Sequence, residues 1–250
     1  MNLLNGFGMD TITMAGTLEA KLAAMKQAGF SQVMLMARDL VTHPGGVPAA
    51  VNAVRESGLR PTGFQVLRDF EGLSDHLHDY KVDIAKSMLQ MCAATGSKVL
   101  LACSSTSRHA TDDLDHIARD LKKLAMLAVP FGIKIAYEAL SWGRTVNEFP
   151  TSWDVVCRAD CPNLGIGLDS FHIFAAKTEL EAIEELQTIR EFERFLRDAG
   201  SFSKGAATAL VARAKALYAG VGEPAANEAD VKALQELGAR LQALQQRLAA

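Results

Sequence analysis

A regular alternation of short apolar runs with longer amphipathic stretches is what most constrains the fold of this chain. Runs rich in large aliphatic and β-branched residues occur at 32–37 (QVMLMA), 60–67 (RPTGFQVL), 98–105 (KVLLACSS), 133–140 (IKIAYEAL) and 164–169 (LGIGLD), with a weaker one, MDTITM, at 9–14. Between them lie helical patterns such as TLEAKLAAMKQAG, VPAAVNAVRESG, HDYKVDIAKSMLQMCAATG and LDHIARDLKKLAMLAVPFG. Each closes on a glycine, the residue suited to a left-handed helix cap. Apolar strands embedded between helices predict a parallel sheet covered on its faces. Spacing of roughly 35 residues per unit fits a β/α barrel better than an antiparallel fold. The expected fold class is therefore α/β, with TIM-barrel-like parallel β/α units. Six strands are counted where a closed barrel has eight, so the barrel is expected to be incomplete.

From Leu186 onward the pattern changes. Residues 187–250 show no strand-like run and read as an α-helical tail. Leu234, Leu237, Leu241, Leu244 and Leu248 alternate three and four apart. That is heptad spacing sustained for about two repeats, compatible with packing within the chain or with a homo-oligomer formed through the tail. The expected organisation is a barrel portion over 1–186 and a helical portion over 187–250.

A formal net charge of -3 gives no electrostatic reason to expect nucleic acid or an anionic membrane as partner. The N-terminal MNLLNGFGMD has no basic segment leading into a long apolar core, and no run of about 18 apolar residues follows. A cytoplasmic location is expected. Cys92, Cys103, Cys157 and Cys161 lack the paired spacing of a zinc site and read as reduced thiols.

In a parallel sheet of this kind, functional side chains gather at the C-terminal ends of the strands. That rule selects Arg68, Asp69 and Glu71 after the third strand, Ser104 and Ser105 after the fourth, Glu138 at the fifth, and Asp169 and His172 at the sixth. Glu138 and Asp169, on neighbouring strand ends, are the candidate ligands of a hard divalent cation, which prefers carboxylate oxygen. His172 is the candidate proton donor or acceptor. Singly, each has a plain structural alternative: a strand-end acid caps the next helix, and a lone histidine is a hydrogen-bonded core residue. Gly165-x-Gly167 lacks the third glycine of a dinucleotide fingerprint. The His76 and His78 pair reads as a solvated helix start, His43, His109 and His116 as surface residues, and Trp142 and Trp153 as packing groups near the site.

Four segments, FQVLRDFEG (64–72), CSSTS (103–107), YEALSWGRTVNEF (137–149) and LDSFH (168–172), together resemble the xylose-isomerase-like TIM barrels of the sugar phosphate isomerase/epimerase superfamily. Among these the bacterial 3-dehydroshikimate dehydratases are the nearest in motif. The resemblance implies a lyase using Mg²⁺, Mn²⁺ or Co²⁺ to convert 3-dehydroshikimate, a small-molecule substrate, to protocatechuate. It implies Glu138 and Asp169 as metal ligands, His172 as acid/base and Arg68 as the contact for the substrate carboxylate. A sugar phosphate or hydroxypyruvate isomerase/epimerase, and a non-catalytic assembly protein with a relic half-site, are the alternatives. Ligand-bearing segments like VQLSD and FEVFND, which end the family's seventh and eighth strands, are absent. In their place the sequence after Leu186 weakly resembles the C-terminal helical region of phage prohead maturation proteases.

Overall fold

The computed structural model describes residues 7–179 and residue 183. Six parallel strands stand in sequential order: β1 (Gly8–Asp10), β2 (Gln32–Met36), β3 (Arg60–Arg68), β4 (Val99–Cys103), β5 (Lys134–Glu138) and β6 (Leu164–Gly167). The connecting helices are α1 (Leu18–Gln27), α2 (Ala37–Val41), α3 (Gly46–Ser57), α4 (Asp75–Thr95), α5 (Leu114–Ala128) and α6 (Phe149–Ala159), with α7 (Ser170–Ala176) after the last strand. This is the TIM-barrel-like arrangement expected from the alternation. The compact unit Met1–Glu179 holds all six strands. The tail expected over 187–250, with its leucine repeat, lies outside the described residues.

Local chemistry sets the element ends. Thr17 accepts from the Ala20 amide at 3.3 Å to start α1, and Asp113 accepts from Asp115 and His116 at 2.9 and 3.2 Å to start α5. Gly58 and Gly96 close α3 and α4 at φ of 72° and 81°, a conformation that costs a side-chain-bearing residue stability.

Both faces of the strands were expected to be covered, yet burial alternates along them: one face is sealed, the other half-open. Val33 and Leu35 in β2, Leu100 in β4, and Ile135 and Tyr137 in β5 are at most 1% exposed and pack on the helices through Leu22, Leu89 and Leu121. Met34, Met36, Leu101 and Ala136 on the other face are only half-buried. The reason is geometric. A closed barrel fills its interior from strands all the way round, whereas here, among the described residues, β1 and β6 are outer strands. The half-open face leads upward to the C-terminal strand ends.

Candidate active site

Register lines up one row across that upper rim. Arg68 pairs with Cys103 between β3 and β4, Cys103 with Glu138 between β4 and β5, and Glu138 with Gly167 between β5 and β6. Partners in a parallel ladder point to the same side, so Arg68, Cys103 and Glu138 share the inner face. The Cys103 thiol donates to Glu138 Oε2 at 3.0 Å. Burial holds the Glu138 carboxyl above its ordinary range; the Cys103 hydrogen bond and His172 pull it down, and Asp169 pushes it up. Burial, then the Glu138 charge, pushes the Cys103 thiol up in turn.

Past β6 the chain turns into α7. Asp169 Oδ1 accepts the Phe171 amide at 2.8 Å and caps that helix, so its structural alternative is realised on one oxygen. Its other oxygen lies 3.9 Å from His172 Nε2. His172 is buried, and its Nδ1 lies 3.2 Å from both the backbone nitrogen and the hydroxyl of Ser141. A backbone N–H only donates, so Nδ1 is the acceptor and the neutral ring presents its proton on Nε2. Trp142 stands edge-on to the imidazole at 4.8 Å, the packing role expected of it.

The strand ends bring Glu138, Asp169 and His172 together, with Arg68 two strands away along the same row. Asp69, Glu71, Ser104 and Ser105 instead knit the surrounding loops. Asp69 Oδ1 accepts from the Thr106 amide at 2.8 Å and from the hydroxyls of Ser105 and Thr106 at 3.3 and 3.2 Å. Glu71 Oε1 accepts from the Ser105 amide at 2.5 Å and the Tyr137 hydroxyl at 3.0 Å, while its Oε2 is buried without a partner among the described residues. Burial pushes the Glu71 carboxyl up to about 7. Ser104 accepts the Leu140 amide at 2.9 Å, and the Ser105 carbonyl accepts that of Arg144 at 2.8 Å. Against expectation, His78 is not solvated: it is buried within α4, edge-on to Phe70 at 5.3 Å and 3.7 Å from Asp120.

A second polar group, missed in the sequence, stands at the other side of the rim. Asp10 ends β1 and accepts the Gln65 side-chain amide; Asp39 on α2 pairs with the buried Lys21 at 2.7 Å. Burial raises the Asp10 carboxyl, the Ile12 amide and Gln65 lower it, and Asp39 raises it further. Only the break in apolar character at Gln65 within GFQVL signalled it. Ser141 and Cys103 lie inside the YEALSWG and CSSTS segments but were not singled out there, because their roles depend on partners 31 and 35 residues away.

As cation ligands, Glu138 and Asp169 fit in chemistry: two oxygen donors whose like charges need compensation. Among the described residues no three or more His, Cys, Asp or Glu side chains are grouped to hold a metal ion. Two carboxylates therefore leave most coordination positions to water or substrate oxygen.

A parallel β/α sheet with acids and a histidine at its strand ends defines a TIM-barrel-like scaffold with a polar rim. Comparison with known proteins agrees. The family described as xylose isomerase-like TIM barrel matches residues 22–199, and the chain belongs to it. A 3-dehydroshikimate dehydratase of Pseudomonas aeruginosa is 35% identical over 176 residues, covering 70% of this chain and 28% of that protein. The chain thus spans under a third of that relative's length. An inosose isomerase of Bacillus subtilis is 25% identical over 151 residues, 59% of this chain and 54% of that protein. The solved structure of a xylose isomerase-like TIM barrel/4-hydroxyphenylpyruvate dioxygenase fusion protein has a TM-score of 0.68 at 34% identity, covering 71% of this chain and 29% of that one. The IolI protein, solved with a zinc atom, has a TM-score of 0.62 at 22% identity over 71% of this chain and 67% of its own, a likeness of fold. No helix among the described residues is long and apolar enough to cross a membrane.

Proposed function

We propose that the chain carries the strand-end half of a divalent-metal-dependent lyase site that dehydrates 3-dehydroshikimate to protocatechuate. The observation that carries the reading is the convergence of Glu138, Asp169 and His172 on neighbouring strand ends. The 35% identity to a 3-dehydroshikimate dehydratase supports the choice of reaction.

In this reading Glu138 and Asp169 hold the cation, which supplies polarisation of the substrate ketone when bound. The Cys103 thiol fixes one oxygen of Glu138, and the Phe171 amide fixes one of Asp169, which leaves each acid a second oxygen for the ion. His172 offers Nε2–H to a substrate oxygen, and Ser141 holds the ring in that tautomer. Arg68 receives the substrate carboxylate through its guanidinium fork. The proton beside the ketone would pass to solvent water, the hydroxyl would take up a proton and leave as water, and enolisation of the ketone would complete the aromatic ring, so that one water is lost overall.

The test follows protocatechuate absorbance in the full chain with added Mn²⁺ or Co²⁺. Turnover that Glu138→Gln abolishes is the expected result, and no product with any of these metals refutes the proposal. The inosose isomerase relative favours a second reading, isomerisation or epimerisation at the same acids. An isomeric product without loss of water distinguishes it.

A further inference from the structure

A cleft of roughly 820 Å³ opens beside the upper ends of β2 and β3, within the size range of small-molecule sites, about 300–1,000 Å³. Cations from four separate elements line it: Lys21 from α1, Arg38 from α2, Arg68 from the end of β3 and Lys81 from α4. Its one lining carboxylate is Asp39, and most of the remaining wall is aliphatic or methionine. Asp39 is already engaged by Lys21 at 2.7 Å. Lys81 is partly engaged, donating to the Arg68 carbonyl at 2.8 Å with Asp69 4.0 Å away. That leaves the guanidiniums of Arg38 and Arg68, both on exposed residues and neither with a side-chain partner among the described residues.

Two unpaired guanidiniums in one concave cleft repel each other and keep their donors in water. Their planar forks match the paired oxygens of a carboxylate or phosphate, and a cleft with low-dielectric walls concentrates the field of its charges. Solitary surface arginines need no such explanation, but here the α2 turn and the β3 end deliver them to the same cavity.

We infer that this cleft is a receptor for the oxyanion group of a small molecule, with Arg38 and Arg68 as its paired arms and Lys81 as supporting charge. The inference rests on the proposed function only in sharing Arg68. It adds that the anion is gripped from α2 as well as from the end of β3, so that Arg38 sets substrate class. A carboxylate and a phosphate offer the same chemistry to these arms, and the experiment separates them.

Isothermal titration of the full chain, treated with EDTA and held at constant ionic strength, uses sodium benzoate and sodium phosphate as separate probes. Saturable one-site binding of at least one is expected, and the tighter of the two identifies the group. Arg38→Gln and Arg68→Gln should each weaken it about tenfold, as loss of a charge-assisted hydrogen bond does. Arg38→Lys should recover part of the loss, and Lys122→Gln, on α5, should change nothing. Neither anion binding, or Arg38→Gln binding as well as the parent, overturns the inference. Lys122→Gln weakening it equally would mean diffuse charge and overturns it too. The readout needs neither metal nor turnover: anion binding that depends on Arg38 without dehydration removes only the proposed reaction, and dehydration indifferent to Arg38 removes only the receptor.

Discussion

The Cys103 thiol donates to the Glu138 carboxylate at 3.0 Å across two neighbouring strands, inside the row that ends at the sheet's upper rim. A group in contact with a metal ligand governs its orientation, and loss of such a group typically weakens metal binding by about 10–100-fold. Cys103→Ala should therefore weaken Mn²⁺ binding by about tenfold with the fold intact. Cys103→Ser, which keeps a donor, should weaken it less. Titration followed by the Mn²⁺ paramagnetic resonance signal gives the order, and equal affinity in all three proteins would refute it.

The observed cap and the proposed metal-ligating role of Asp169 can be separated by substitution. Its cap on α7 survives in Asp169→Asn, because asparagine caps as well as aspartate, while the anionic oxygen is lost. Asp169→Asn should keep stability within about 0.5 kcal/mol and lose metal binding; Asp169→Ala should lose about 1 kcal/mol as well. Urea denaturation beside metal titration reads both.

Glu71 gives the molecule a pH dependence. Its carboxyl is pushed up to about 7 from 4.5 by burial, so the folded state holds a proton that the unfolded chain has released. Stability from this group is present below about pH 4.5 and is lost as pH rises to about 7, by no more than about 3 kcal/mol. Glu71→Gln, which retains an acceptor for Ser105 and Tyr137, should flatten that decline. Thermal unfolding from pH 5 to 8 measures it, and parallel curves for the two proteins would contradict it.

Gly143 stands where the loops after β4 and β5 meet. A methyl group there would collide with the Val146 carbonyl and lie 2.6 Å from Ser104 Oγ and 2.9 Å from the Leu140 carbonyl. Gly143→Ala should cost about 1–3 kcal/mol, the usual range for overpacking. Because Ser141 lies only two residues before it, Ser141 should also lose its grip on His172. A stability within error of the parent in urea would show that the loop yields freely.

How far the sequence could be read depended on the kind of residue. The strands and their parallel order followed from hydrophobic period and glycine caps, because both are local consequences of backbone geometry. Glu138, Asp169 and His172 could be picked out because a parallel sheet sends all its strand ends to one rim. The capping role of Asp169 was foreseen only as an alternative to chemistry, and the structure has it cap with one oxygen and face His172 with the other. His78 was misread because a polar DHLHD run looks solvated, although one histidine in it turns inward onto Phe70 and Asp120.

By itself the sequence determined the β/α alternation, the six strands and the placing of Glu138 and Asp169 at strand ends, since each depends on spacing along one stretch of chain; Asp10, at the end of the weakest strand, escaped it. Only the tertiary structure decided that Cys103 holds Glu138, that Ser141 sets the His172 tautomer, that Glu71 is a buried post between loops, and that Arg38 and Arg68 share a cleft. These pairs lie 30 or more residues apart in the chain. No local pattern encodes them; they exist because packing the helices on the sealed face fixes strand register, and register sets which side chains meet.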